Sequence, residues 1–200
     1  MSPRKRFLRG LGAQLKVVAD THKEKRITLW FQDEARIGQK GRVTHRWYWK
    51  GKRASGLADN RFTYAYLFAA VRVGSDDAHA WVLPHANKMT MQHFLDRFAT
   101  EREADEHAVM VLDQAGWHDA RALAVPENVT LIALPPYSPE LNPIERVILH
   151  LKQRYLSHRL LDDYDAIAEA TAQAWRSLVA DRGRLASITA FPWIMECVNS

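Results

Sequence analysis

Three acidic residues, Asp33, Asp113 and Glu145, stand in settings that suggest chemistry. Asp33 closes the run Ile27-Thr28-Leu29-Trp30-Phe31-Gln32-Asp33, in which Ile27, Leu29, Phe31 and Asp33 share one phase of a period-2 strand. Asp113 closes Ala108-Val109-Met110-Val111-Leu112-Asp113 in the same way, in phase with Val109 and Val111. A charge delivered on a buried phase is costly unless it has a partner or a task. Glu145 follows a proline-rich loop and completes the set. Brought together, the carboxylates repel: at ~4 Å and an effective dielectric near 20, each like-charged pair costs on the order of 4 kcal/mol. Such a cluster either keeps a proton or takes a divalent cation, and hard oxygen donors favour Mg2+ or Mn2+ over zinc. Two such ions about 3.5 to 4 Å apart can activate water or a 3′-hydroxyl and stabilise the leaving oxygen of an in-line phosphoryl transfer.

The elements that must position these acids can be read around them. In Pro135-Pro136-Tyr137-Ser138-Pro139-Glu140-Leu141-Asn142-Pro143, the prolines force an irregular loop. A helix is expected at once after it, with Asn142 as N-cap, Pro143 at the first helical position and Glu145 at the third. Taken alone, Asn142 and Glu145 make a capping box worth about 1 kcal/mol, with no chemistry required. The two strand-terminal aspartates shift the reading toward a shared site. Asp33 is expected at the end of its strand, with Ala35 to Gly38 leading out of it.

Elsewhere, Phe62–Val71 and Ala80–Pro84 read as strands around a turn containing Asp76 and Asp77. Thr90 is expected to cap a helix reaching about Glu103, with Phe94, Leu95 and Phe98 inward. The continuous apolar runs 108–112 and 129–134 predict strands covered on both faces. The helix after Glu145 should bury Val147, Ile148 and Leu151. A further helix, Tyr164 to Ala180, should bury Ile167, Ala170, Thr171, Ala174 and Leu178. Phe191-Pro192-Trp193-Ile194 reads as a docking plug.

Charge points to a polyanionic partner. Twenty-eight Lys and Arg against 23 Asp and Glu give a net charge of +5 and a pI near 9.4. From Arg36 to Ala58 there is no acid, while Arg36, Lys40, Arg42, Arg46, Lys50, Lys52 and Arg53 alternate with His45, Trp47, Tyr48 and Trp49. Cations interleaved with aromatics suit phosphate contact and base stacking. The plainer alternative is a solvated hairpin whose tryptophans pack on the core. Trp117 and His118, just past Asp113, can meet DNA near a scissile phosphate, or serve as packing and as a helix start. Cys197 is the only cysteine, which excludes an intrachain disulfide and a cysteine-rich zinc site. No histidine pair has convincing zinc spacing. Arg9 and Lys16 interrupt any signal-peptide core, and no run of ~18 apolar residues offers a membrane span. The expected location is therefore the cytoplasm, associated with the nucleoid when DNA is bound.

The segments FQDEARIGQKG, VLDQAGWH and LPPYSPELNPIER, in this order, resemble the catalytic domain of bacterial insertion-sequence transposases related to the mariner superfamily, the DDE endonucleases. The resemblance runs from about Ile27 to Ile194, and the step of 32 residues from Asp113 to Glu145 is similar to that family's spacing. It implies an α/β, RNase H-like fold: a mixed five-stranded sheet with helices on both faces. It implies Asp33, Asp113 and Glu145 as a triad holding two Mg2+ or Mn2+ ions for cleavage and strand transfer at transposon ends. Its partner would be double-stranded DNA, both transposon ends and target, with the protein acting as a homodimer or beside a companion helix-turn-helix polypeptide. The expected organisation is a basic lead-in over 1–26 (Arg4, Lys5, Arg6 and Arg9, then Leu11, Leu15 and Val18 on a short helix), a catalytic domain over 27–182 and a docking tail over 183–200. The family's N-terminal recognition module has no room ahead of Ile27, so a truncated product or one half of a split transposase is expected. Ile148 stands where similar proteins often carry tryptophan, a matter of packing. Two other readings fit the same acids: an RNase H-like nuclease without strand transfer, and an inactive or regulatory fragment that binds DNA or a full-length transposase.

Overall fold

The structure is a computed structural model that describes residues 3–39, 49–51, 62–114, 123–157 and 159–198. Five strands, β1 (Arg26–Gly38), β2 (Tyr64–Arg72), β3 (Ala78–Leu83), β4 (Glu106–Leu112) and β5 (Val129–Ala133), form one sheet in the spatial order β3-β2-β1-β4-β5. β1, β2 and β3 are antiparallel neighbours, whereas β4 lies parallel to β1 and β5 parallel to β4. Helix α2 (Lys88–Thr100) carries the chain from the β3 edge across to β4, the long connection that placing β4 parallel to β1 requires.

Sequence phase decides which core each strand feeds. Trp30, Phe68, Ala70, Met110 and Leu112 meet Met91, Phe94, Leu95 and Phe98 of α2 on one face. On the other face, Leu29, Phe31, Val109, Val111 and Ile132 pack with Leu11 and Leu15 of α1 (Pro3–Thr21) and with Ile194 of α6 (Pro192–Val198). On that same side of β1, Ala35 and Ile37 join Leu67, Ala69 and Val71 beneath α3 (Ile144–Arg154), α4 (Tyr164–Ala180) and α5 (Arg184–Thr189). Asp33 falls in the gap between these two cores, following Leu29 and Phe31 and preceding Ala35 and Ile37 in the same phase. β4 is buried along its whole length, as a strand covered on both faces should be.

Several local expectations are corrected. β1 does not end near Asp33: the apolar alternation continues through Ala35 and Ile37, and pairing with β2 runs on to Gly38. Gly38 is required there, because an added Cβ would collide with the Tyr64 ring and come within 2.8 Å of the Thr63 carbonyl oxygen. α2 is capped by Asn87, with Thr90 completing a reciprocal capping box, and it ends at Thr100. Asp76 does more than turn the chain, since its carboxylate accepts backbone N–H bonds from Gly183 and Ala186 and so anchors the start of α5. The buried stripes of α3 and α4 contain every residue expected of them, with Ile144 and Trp175 in addition. The lead-in forms helix α1, whose Leu11 is fully buried in the core beneath β1 and β4. Among the described residues, no helix is long and apolar enough to cross a membrane.

Candidate active site

The two aspartates are brought together by strand register. In the parallel β1–β4 pair, Leu29 lies opposite Val109 and Phe31 opposite Val111. Continuing that register by two residues sets Asp33 beside Asp113. Pairing stops at Phe31, so β1 and β4 part where the acids begin, while β1 stays fastened to β2 through Asp33 and Ala69. Two apolar runs that each reach an aspartate thereby deliver both carboxylates to one cavity at the carboxyl edge of a parallel pair.

Glu145 reaches the same edge by a different device from the one its sequence advertises. α3 begins at Ile144 with Pro143 in the cap position, and no side chain caps it. Asn142 is turned inward, 4% exposed, and its Nδ2 donates to the backbone carbonyl of Gln32 at 3.2 Å. The expected capping box is thus absent: Asn142 ties the start of α3 to β1 one residue before Asp33, and Glu145 projects from the first turn into solvent. A second tie runs from Gln114 Nε2 to the carbonyl of Leu134 at 2.9 Å, joining the chain just after Asp113 to the head of the proline loop. Periodicity could not show either link, because both connect residues distant in sequence.

Asp33, Asp113 and Glu145 line one cavity of about 450 Å3, walled otherwise by Gln114, Asn142 and the loop from Leu134 to Pro139. Asp33 is half-buried, and the other two acids face solvent. Burial pushes the Asp33 carboxyl up to about 8, assisted by the negative charges of Glu145, Glu34 and Asp113 and opposed by the Glu34 N–H, which donates to Asp33 Oδ1 at 2.8 Å. Asn142 Oδ1 is buried without a hydrogen-bond partner in the cavity wall. Among the described residues, no three His, Cys, Asp or Glu side chains are already gathered closely enough to hold one ion. The donor set nonetheless suits a hard divalent cation: its acids offer oxygen ligands only, and burial together with the neighbouring carboxylates disfavours the charged form of Asp33 unless a cation offsets it.

The other site candidates are placed unevenly. Arg36 is exposed on β1, with its guanidinium 4.4 Å above the Tyr64 ring. Lys50 is exposed, as is Trp49, so that tryptophan is not packed on the core. Lys40, Arg42, Arg46, Lys52, Arg53, Trp117 and His118 lie outside the described residues. Sequence reading missed Asn142 as a cross-strand tie and Gln39, which is buried and bridges Thr63 to the carbonyls of Leu161 and Asp162. Neither residue type signals such a role locally.

A five-stranded sheet of this order, with carboxylates at the edge where β1 and β4 diverge, is the RNase H-like fold. Residues 28–168 match the family described as DDE superfamily endonuclease, and the chain belongs to that family. An uncharacterized protein of Sinorhizobium fredii (strain NBRC 101917 / NGR234), y4pE/y4sA, is 40% identical over 130 residues, covering 65% of this chain and 96% of that one. Among solved structures, the Mos1 mariner paired-end complex with Mn superposes with a TM-score of 0.67 at 20% identity, covering 98% of this chain and 61% of that chain. The Mos1 paired-end complex with left transposon end gives 0.63 at 20% identity, covering 98% and 60%. The chain thus spans about three fifths of the length of those transposase chains. At this identity the likeness shows the fold.

Proposed function

We propose that this chain is the catalytic domain of a transposase, cutting and joining DNA strands by divalent-metal-dependent phosphoryl transfer, with Asp33, Asp113 and Glu145 as its metal-holding acids. The observation that carries this reading is the meeting of the three acids in one cavity, delivered by β1, β4 and α3 from positions that span 112 residues of sequence. Membership of the DDE superfamily endonucleases supports it, as do solved Mos1 complexes with Mn and with transposon-end DNA.

Divalent ions bound there would activate the attacking oxygen and neutralise charge on the leaving oxygen. The chain's own groups supply the frame. Asp33 is the fixed member, set in β1 and held by the Glu34 N–H. Asp113 and Glu145 face solvent and can swing toward it by a change of rotamer. Asn142 keeps the start of α3 against β1, so Glu145 cannot drift from the strand that carries Asp33. In cleavage, a water oxygen forms a bond to phosphorus as the bond to the 3′ oxygen breaks, leaving a 3′-hydroxyl and a 5′-phosphate. In joining, that 3′-hydroxyl attacks a target phosphodiester and displaces another 3′ oxygen. The basic stretch of Arg36, Lys40, Arg42, Arg46, Lys50, Lys52 and Arg53 would supply phosphate contacts that an acidic cavity lacks. Cytoplasmic, DNA-associated placement is part of the same proposal.

The test is incubation of the purified chain with supercoiled plasmid in Mg2+ or Mn2+, beside Asp33→Asn, Asp113→Asn and Glu145→Gln. Metal-dependent nicking lost by at least 100-fold in each variant is expected; nicking that survives all three substitutions would assign the activity elsewhere. Joined products distinguish a transposase from a nuclease that only hydrolyses.

A further inference from the structure

Tyr137 combines features that a structural residue at its position would not need. Among the described residues it is the only non-glycine with positive φ, at 55°, in the left-handed region where a bulky side chain is disfavoured. Its ring is fully exposed, so burial of apolar surface does not compensate for that conformation. Glycine would adopt the same backbone freely. An observed backbone outlier at the wall of a site is a sound starting point for a functional hypothesis.

The surroundings make the ring a presented surface. Pro135, Pro136 and Pro139 fix the backbone on both sides. Ser138 Oγ donates to the carbonyl of Pro136 at 3.3 Å, and the Leu141 N–H donates to the carbonyl of Ser138 at 3.1 Å. Tyr137 itself lines the cavity that contains Asp33, Asp113 and Glu145. No Lys, Arg or His among the described residues lines that cavity. A DNA phosphate entering it meets carboxylates and, among the described residues, no cation in the wall, so a hold on the base complements phosphate contacts made outside the cavity. An exposed aromatic ring on a stiff loop provides one, since every nucleobase has a face to stack and tyrosine has few torsions to immobilise.

We propose that Tyr137 is a nucleobase-stacking residue: its ring receives an unpaired or flipped base of the DNA strand whose phosphodiester enters the acid cavity. The inference rests on the phosphoryl-transfer reading and adds the feature of DNA that this loop selects, a base out of its stack. Removing a base from a duplex is costly, so a ring that holds it favours frayed or tailed DNA over fully paired DNA.

The test compares the full chain with Tyr137→Gly and Tyr137→Phe by fluorescence anisotropy, using a short duplex with an unpaired 3′ tail and the same duplex fully paired. 2-Aminopurine in the tail reports stacking directly. Tyr137→Gly should keep or raise the unfolding temperature, weaken tailed-DNA binding on the order of 5- to 100-fold, and leave paired-duplex binding within about twofold. The 2-aminopurine signal should lose its quenching, while the slope of log affinity against log salt stays the same because no charge is removed. Tyr137→Phe should bind as the wild type does. If Tyr137→Gly binds tailed DNA like the wild type, or unfolds at a markedly lower temperature, the proposal is overturned while the acid site stands. If the wild type binds neither DNA, the phosphoryl-transfer reading fails and this inference fails with it.

Discussion

Asp33 carries the heaviest electrostatic load of the described residues, and its titration has a definite sign. Burial, then Glu145, Glu34 and Asp113, raise its carboxyl from 3.8 to about 8. A group whose folded pKa lies above its unfolded one favours folding most below the unfolded value and loses that contribution as pH rises through the folded value. Metal-free chain should therefore lose stability from this group between about pH 4 and pH 8, on the order of a few kcal/mol. Urea unfolding in chelator across that range checks it: Asp33→Asn should flatten the loss and exceed the wild type in stability near pH 8. The same shift predicts that Mn2+ addition near pH 6.5 releases about one proton per chain, read by calorimetry in buffers of different ionisation enthalpy. Release unchanged in Asp33→Asn would place the proton elsewhere. Asn142 shows where local reading stops. Asn-x-x-Glu before a helix is a sound capping signal, yet the nearby carbonyl of Gln32 claims the Asn142 side chain. Asn142→Ala should cost about 1–3 kcal/mol in unfolding and weaken Mn2+ binding through Glu145; Mn2+ affinity equal to wild type would show the tie to be structural only.

At the scale of elements, the phase of apolar residues was sufficient where burial is periodic. It located α4 at both ends and identified the inward stripe of α3, because each helix buries one continuous stripe in a shared core. It failed at the end of β1, where Asp33 looks like a terminus although Ala35 and Ile37 keep the strand's phase. The acid interrupts the apolar pattern without interrupting the strand, since β2 continues to pair there. It also understated α1: Leu11 is fully buried in the sheet's own core, so the helix shares the fold's stability. Leu11→Ala should destabilise by about 2–5 kcal/mol, with one unfolding transition, as expected of a cavity in a shared core. A cost below about 0.5 kcal/mol, or a separate early transition, would show α1 to be an appendage.

For the whole molecule, the site is a consequence of topology. Strand order places β4 beside β1, register sets Asp33 by Asp113, and the loop after β5 returns α3 to β1 with Glu145. Composition and periodicity could place each acid on its element but not order the strands, since pairing partners lie far apart in the chain; the fold was legible through the resemblance of three segments to a known family. The basic stretch beyond Arg36 was legible as charge alone. If it touches phosphates, Lys50→Ala should lower the slope of log affinity against log salt by about 1, and an unchanged slope would remove Lys50 from the interface. The central claim, that three acids form one metal-holding site, is tested most directly by thermal unfolding with and without Mn2+ on the wild type and on Asp113→Asn. With Mn2+ tenfold above its dissociation constant, the wild type should gain about 1.4 kcal/mol, a rise of a few degrees. The variant should gain nothing from Mn2+, whatever its own baseline after losing one charge from the cluster. An equal Mn2+ shift in both proteins, or none in the wild type, would contradict the account.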